Sequence, residues 1–324
     1  MTHAIRIYEH GGPEVLRWEE VDLGAPGSGE VCLRQTAAGL NFIDVYHRNG
    51  AYALPDLPTA IGMEAAGVVE AVGEGVDDLK PGDRVAYAGY KPGAYAEARL
   101  MPAERLVPLP DSIDDQHAAA MMLQGMTAEY LIRRTFVVQS GQTVLFHAIA
   151  GGVGLIACQW LKQLGATVIG TVGNEAKAEL ARAHGCDHVI VYSRENFVDR
   201  VNEITDGAGV PVVYDSVGKD TWEGSLDCLQ QRGTLVSFGA ASGVPADFSV
   251  NQLQFKGSLY LTRPTLLHYN VSRAELLQSA NALFAAVENG LKVEINQTYP
   301  LEETADAHRA LEARETTGST ILLP

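Results

Sequence analysis

The sequence predicts an α/β chain of two domains, a doubly wound parallel sheet preceded by a small, mostly antiparallel β-barrel or sandwich. Three observations carry this. The length of 324 residues suits roughly two domains. Up to about residue 110 the chain reads as short, partly alternating strands separated by Gly and Pro turns. Beyond it, short Val/Ile/Leu-rich runs alternate with helical segments, the pattern of strands buried on both faces of a parallel sheet.

The elements follow in order. "MTHAIRIYEHGG" reads as a strand with Ile5 and Ile7 on one face, and it lacks the apolar stretch of a secretory leader. "GSGEVCLRQTAAGL", "AAGVVEAVGEG" and "KPGDRVAYAGY" read as barrel strands. Between the last two, Pro81-Gly82 suits the middle of a type II turn, where Gly supplies the positive φ. "DSIDDQHAAAMMLQGMTAEYLIRRT" has helix formers and an acid-rich start, and Gly125 divides it into two expected helices. The alternation then runs "TVLFHA" (strand), "GGVGLIACQWLKQLG" (helix), "TVIGTV" (strand), "EAKAELARAHG" (helix), "HVIVY" (strand), "ENFVDRVNEIT" (helix), "VPVVYDSV" (strand), "TWEGSLDCLQ" (helix), and the strands "GTLVSFG" and "GSLYL". The helix "SRAELLQSANALFAAVENG" and the terminal "GSTILLP" do not extend it and are expected to return to the first domain. The expected boundaries are therefore 1–122 plus 266–324 for the barrel domain and 123–265 for the parallel sheet.

Composition narrows the function. Apolar residues make up 46%, enough for a full core. No apolar run approaches the roughly 20 residues of a membrane-spanning helix. A net charge of −16 repels phosphate backbones and anionic membranes, so nucleic acid is a poor partner. Cys32, Cys158, Cys186 and Cys228 form no C-x-x-C, and the simplest reading is reduced thiols in a cytoplasmic protein.

The most informative stretch is "TVLFHAIAGGVGLIACQW", a strand running into a glycine turn and then a helix. Gly151, Gly152, Val153 and Gly154 place backbone N–H groups and the positive end of a helix dipole where a pyrophosphate binds in a Rossmann fold. Ile149 stands where a strict G-x-G-x-x-G has its first glycine. The next strand ends at Gly173 and Asn174 rather than at the acid that binds the ribose 2′-hydroxyl of NAD. Lys177 follows, which favours the 2′-phosphate of NADPH, with Glu175 as the contrary signal. A separate group, His184, Cys186 and His188, straddles a helix stop and a strand start and is not expected to bind metal.

"GMEAAG" followed by Gly73 resembles the G-H-E-x-x-G-x-x-x-x-x-G stretch of the medium-chain dehydrogenase/reductase superfamily, which pairs a GroES-like barrel with a Rossmann domain. Met63 stands where the alcohol dehydrogenases carry a zinc-ligating histidine, and Asn41, in "AGLNFIDVY", where they carry a cysteine. The lobe of four closely spaced cysteines is missing too. A thioether is a poor zinc ligand, so no metal is expected. "HGGPEVL", "GLNFIDVYHRNG", "VVYDSVGKDTWEGSLDCLQ" and "GSLYLTRPTL" resemble the zinc-free, zeta-crystallin-like branch of NADPH:quinone reductases over essentially the whole chain.

That resemblance implies metal-free hydride transfer from NADPH to a quinone. A quinone is itself electrophilic and needs positioning more than a Lewis acid. It implies catalytic roles for Asn41, Tyr46 and Tyr52, with Asn41 and Tyr46 at the nicotinamide and Tyr52 on the quinone side. It further implies Tyr130, Ser216, Phe238, Gly239 and Ser242 as cofactor contacts, and Gly173, Asn174, Lys177, Tyr192 and Arg314 around the phosphate end. Glu64 is read as structural, a buried acid bonded to backbone N–H groups. The edge strand in "GSLYLTRP" suggests a homodimer. The alternatives are a 2-alkenal or enoyl reductase on the same scaffold and, from another class, a crystallin-like or RNA-binding role.

Overall fold

The structure is a computed structural model describing residues 1–54, 56–246 and 248–324. It divides into two compact units. One comprises Met1–Met126, Tyr269–Glu288 and Val293–Pro324, the other Thr127–His268 and Asn289–Lys292.

In the first unit, β1 (Thr2–Ile7) pairs antiparallel with β2 (Arg17–Val21), and its Ile5 and Ile7 are buried on one face. β3 (Glu30–Leu40) runs into α1 (Phe42–Asn49), which stops at Gly50 in the left-handed region, φ +83°. β4 (Thr59–Ala60), β5 (Glu64–Val72), β6 (Arg84–Ala88), β7 (Ala98–Pro102) and β8 (Val107–Pro108) follow, then α2 (Asp115–Tyr130). The turn between β5 and β6 is the expected one. Asp83 N–H donates to the Lys80 carbonyl at 3.1 Å, and Gly82 takes φ +97°.

The second unit holds β9 (Thr143–Phe146), α3 (Gly152–Gln163), β10 (Thr167–Val172), α4 (Glu175–Ala183), β11 (His188–Val191), α5 (Phe197–Ile204), β12 (Val210–Asp215), α6 (Trp222–Asp227), β13 (Leu229–Ser237), α7 (Asn251–Phe255) and β14 (Tyr260–Thr262). All six strands are parallel, in the order β11-β10-β9-β12-β13-β14. The order reverses between β9 and β12, the switch point outside whose carboxyl ends such sheets bind ligands. Leu145, Ile169, Ile190, Val213 and Leu235 fill the core beside this sheet.

The chain then makes α8 (Arg273–Glu288), β15 (Ile295–Pro300), α9 (Thr304–Glu312) and β16 (Ser319–Leu323). β16 pairs antiparallel with β3, so "GSTILLP" completes the first unit's sheet β15-β16-β3-β5-β6-β8. β7 pairs off that path with β3.

One expectation is corrected. Gly125 does not divide its segment. α2 runs unbroken from Asp115 to Tyr130 and continues as a π turn over Leu131–Thr135. The glycine serves packing instead, since a Cβ there would lie 2.5 Å from Leu283 Cδ1 on α8. Gly125→Ala should therefore destabilise the protein by about 1 kcal/mol. The overpacking of about 1–3 kcal/mol outweighs a helix-propensity gain of about 1 kcal/mol. In a Leu283→Ala background the same substitution should become neutral or stabilising. Urea denaturation of the four variants checks this as a double-mutant cycle.

Candidate active site

The second unit gathers its candidate residues at the carboxyl ends of its strands. After β9, Ala148 takes φ +54° and Gly151 is the N-cap of α3, with no side chain bonded to the first turn. The opening N–H groups of α3 are thus left for a ligand. A Cβ on Gly154 would lie 2.5 Å from the Ile149 carbonyl oxygen, so the helix start sits against the strand end. Ile149 is tolerated in place of the first motif glycine because Gly170 on β10 makes room. A Cβ at Gly170 would meet Ile149 Cγ2 at 2.6 Å.

On the other side of the switch point, buried Asp215 closes β12. Its Oδ1 accepts the N–H groups of Val217 and Gly218 at 2.8 and 3.0 Å, and its Oδ2 accepts the hydroxyls of Thr221 and Ser225, both at 2.7 Å. Ser225 Oγ is 3.0 Å from His147 Nε2, and His147 Nδ1 is 2.8 Å from Thr171 Oγ1. Burial lowers the basicity of this imidazole, which stays neutral and ties β9, β10 and β12 together. The 215–218 turn is pinned at Ser216, whose carbonyl oxygen lies 2.6 Å from where a Cβ on Gly239 would sit. The Ser242 hydroxyl donates to the Val217 carbonyl at 2.8 Å and accepts from Asp220 N–H at 3.0 Å. Phe238 packs on Phe146, ring centroids 5.6 Å apart. Ser216, Phe238, Gly239 and Ser242 therefore share two adjoining loops, and the Ser242 side chain holds those loops together.

Past β10 and β11 the phosphate-end candidates also meet. A Cβ on Gly173 would lie 2.9 Å from the Tyr192 hydroxyl. Asn174 Oδ1 caps α4, accepting Lys177 N–H at 3.0 Å. Glu175, the residue that argued for NAD, is ion-paired with Arg182 and Arg194, both at 3.0 Å. Its charge is thereby offset, and Arg194 adds a cation that the sequence reading did not single out. Tyr130, the last residue of α2, is buried. Arg314 belongs to the first unit, just beyond α9, at φ +60°.

In the first unit, Asn41 leads α1 and Tyr46 lies on it. Tyr52 N–H donates to the Tyr46 carbonyl at 3.0 Å, and the two rings lie 5.0 Å apart. Tyr52 is 41% exposed. Asn41 is held from three directions. Its backbone N–H donates to Asp44 Oδ2 at 2.9 Å, its Nδ2 donates to Glu64 Oε1 at 2.5 Å, and its Oδ1 accepts Gln124 Nε2 at 3.3 Å. Glu64 Oε2 accepts Leu123 N–H at 2.6 Å, so one backbone N–H and one side-chain amide hold this acid, not backbone groups alone. Asp44 Oδ2 also accepts the Tyr95 hydroxyl at 2.7 Å. Burial pushes Glu64 up to about 8 and Asp44 up to about 7. Met63 is buried, and its backbone carbonyl accepts Gly89 N–H at 3.1 Å.

Residues 27–111 match the profile of the alcohol dehydrogenase GroES-like domain, and residues 152–282 that of the zinc-binding dehydrogenases. A quinone oxidoreductase of Pseudomonas aeruginosa is 54% identical, with 100% of each chain covered. A 2-haloacrylate reductase of a Burkholderia species is 49% identical over 100% of this chain and 99% of the relative. The Escherichia coli quinone oxidoreductase complexed with NADPH superposes with a TM-score of 0.98 at 48% identity, covering 99% of this chain and 100% of that one. The chain belongs to the quinone oxidoreductases of the medium-chain dehydrogenase/reductase superfamily.

Within this quinone oxidoreductase the sequence reading missed the residues that hold Asn41. Asp44 was within reach of it, since an acid three positions after a helix N-cap is a capping pattern. Gln124 carries no such signal, because it meets Asn41 only through tertiary pairing, and neither does Ser319, which bonds Gln124 in turn.

The buried acids make stability depend on pH. Their native pKa values lie above the ordinary 4.5 and 3.8, so their contribution is complete at low pH and is lost as pH rises toward about 8 and about 7. His47 and His308, lowered from 6.5 to about 4 and about 3, act oppositely but only below pH 6.5. Tm should therefore fall by a few degrees between pH 6.5 and about 8. Asp44→Asn, which keeps an oxygen for Asn41 N–H and Tyr95, should flatten the lower part of that fall in calorimetric scans.

Proposed function

We propose that this chain reduces quinones with NADPH and uses no metal. The observation that carries the reading is a glycine cradle at the switch point with Lys177 and Tyr192 beyond it, in a chain about half identical to named quinone oxidoreductases along its whole length. The residues present fit the cofactor. The uncapped start of α3 suits a pyrophosphate, and Gly154 and Gly239 stand where side chains would fill the cradle. Lys177 and Tyr192, with Gly173 and Asn174, would hold the 2′-phosphate, while Arg182 and Arg194 offset the opposing charge of Glu175. NADPH, when bound, supplies the hydride.

The first unit's residues act on the quinone. Tyr52, on the quinone side, packs against Tyr46 and offers an apolar face to a flat ring, and Asn41, with Tyr46 at the nicotinamide end where the hydride leaves, offers its amide to the adjoining quinone oxygen. Donors aimed at an oxygen that gains charge stabilise the transition state more than the ground state. The hydroquinone anion takes its proton from water or a neighbouring donor. The donor set supports the metal-free reading. Met63 offers a thioether and Asn41 an amide already bonded to Glu64, neither a competitive zinc ligand. Four free cysteines support a cytoplasmic setting. Among the described residues β14 is the end strand of its sheet, and with Tyr260 exposed this supports a homodimer joined there.

A second reading, reduction of a conjugated carbon–carbon double bond, is supported by the similarity to a 2-haloacrylate reductase. A steady-state panel of quinones, alkenals and enoyl thioesters decides between them. Turnover of alkenals without quinones would reverse the preference. Lys177→Ala should weaken NADPH binding about tenfold or more and leave NADH within about twofold, read by fluorescence titration. Equal affinity of the unaltered protein for both cofactors would sink the assignment of Lys177. Dialysis against EDTA should leave quinone turnover unchanged, and metal-dependent recovery of lost activity would refute the metal-free reading.

A further inference from the structure

Four buried side chains form one hydrogen-bonded row in the first unit, Ser319, Gln124, Asn41 and Glu64. The Ser319 hydroxyl lies 2.7 Å from Gln124 Oε1 and 2.8 Å from the Ala120 carbonyl oxygen. Gln124 Nε2 reaches Asn41 Oδ1 at 3.3 Å, and Asn41 Nδ2 reaches Glu64 Oε1 at 2.5 Å. Each amide has a donor end and an acceptor end, so the row is consistent in either of two directions. At one end Ser319 accepts both. Its single proton can go to Gln124 or, when Gln124 turns its NH2 group inward, to the Ala120 carbonyl. At the other end an ionised Glu64 has no proton to give, so only Asn41 Nδ2 can face it.

We propose that Glu64 is the positioning residue of the quinone-reducing site: as the one member of the row that has no proton to give, its carboxylate dictates which way round the Asn41 amide stands toward the substrate. This rests on the reading of Asn41 as a substrate-side residue. Reversing the amide exchanges a donor for an acceptor at the group offered to the substrate. A carbonyl oxygen that gains charge requires the donor.

The surroundings are built for this. Gly39 faces Glu64 across the β3–β5 ladder, and a Cβ on it would lie 2.4 Å from Glu64 Oε1 and 2.3 Å from the Ala119 carbonyl oxygen. Leu123 N–H fixes the second carboxylate oxygen at 2.6 Å, so a proton acquired by Glu64 must sit on Oε1, facing Asn41. Protonation therefore turns the row around. The titratable neighbours are Asp44 on α1, Tyr87 on β6 and Tyr95 in the 89–97 loop. Arg99 on β7 bonds Tyr87, at 3.1 Å, and no cation pairs with Glu64 among the described residues. With burial and Asp44 opposing its charge, Glu64 is held up to about 8, within reach of an activity profile.

The substitution Glu64→Gln separates this from a merely structural role. Leu123 N–H claims the new carbonyl oxygen, the NH2 group faces Asn41, and the row is locked in the reversed direction at every pH. The experiment is NADPH-dependent reduction of 1,4-benzoquinone by the full chain, with kcat and KM measured from about pH 6 to about pH 10. In the unaltered protein kcat should rise through about pH 8. In Glu64→Gln that rise should vanish, with kcat about tenfold or more below the alkaline plateau, KM for NADPH within about twofold and Tm retained at neutral pH. Ser319→Ala, which leaves the carboxylate in place, should keep the rise even where kcat drops. Persistence of the rise in Glu64→Gln, or its loss in Ser319→Ala, would overturn the proposal. Asn41→Ala tests the underlying reading. Full quinone turnover there would remove Asn41 from the site and the proposal with it. Collapse there beside an unaffected Glu64→Gln would overturn the role of Glu64 alone.

Discussion

Glu64 lies fully buried on β5 with the Leu123 N–H on one oxygen and the Asn41 amide on the other, and with no ion-paired cation among the described residues. Two hydrogen bonds to a charged group contribute about 1.5–3 kcal/mol each, against a desolvation penalty of several kcal/mol for the ion. Desolvation outweighs the two bonds, which is why the acid is pushed far above its ordinary range, while the bonds keep it within reach of ionisation. Much of the first unit follows from housing this group. Gly39 has to lack a side chain, α2 has to present a mid-helix N–H, and β16 has to bring Ser319 to the end of the row.

Asp215 plays the corresponding part in the second unit under a different rule. Its carboxylate accepts two backbone N–H groups and two hydroxyls, and charge spread over four donors is well solvated inside the protein. It therefore works as a fixed anchor. It holds the turn at Ser216 and, through Ser225 and His147, links the carboxyl ends of β9, β10 and β12. This row of polar groups joins the ends of the strands whose loops carry the glycine cradle.

The parts of the molecule legible from the sequence are those written in local pattern. The β/α alternation, the turn at Gly82 and the glycine turn at 151–154 each depend on residues a few positions apart. Gly125 shows where such reading fails. A glycine within a helical pattern has the same local signature whether it ends a helix or lets another helix approach, and only the position of Leu283 distinguishes them. Ile149 is a second case. It weakens the motif on paper, but Gly170 on the neighbouring strand absorbs its side chain, so the turn closes without the first glycine.

The sequence by itself determined the two-domain α/β class, the glycine turn between a strand and a helix at 151–154, and which residues, Met63 and Asn41, stand at the two positions compared with the alcohol dehydrogenases. These are matters of composition, period and residue chemistry, which survive without coordinates. The tertiary structure alone decided that Glu175 is offset by two arginines, that Asn41 is held by Gln124 and Glu64, and that Ser319 ends the row. The physical reason is that hydrogen bonding and desolvation act over a few ångströms of space. β-Sheet pairing brings together groups that are far apart in the chain, and no local pattern records their meeting.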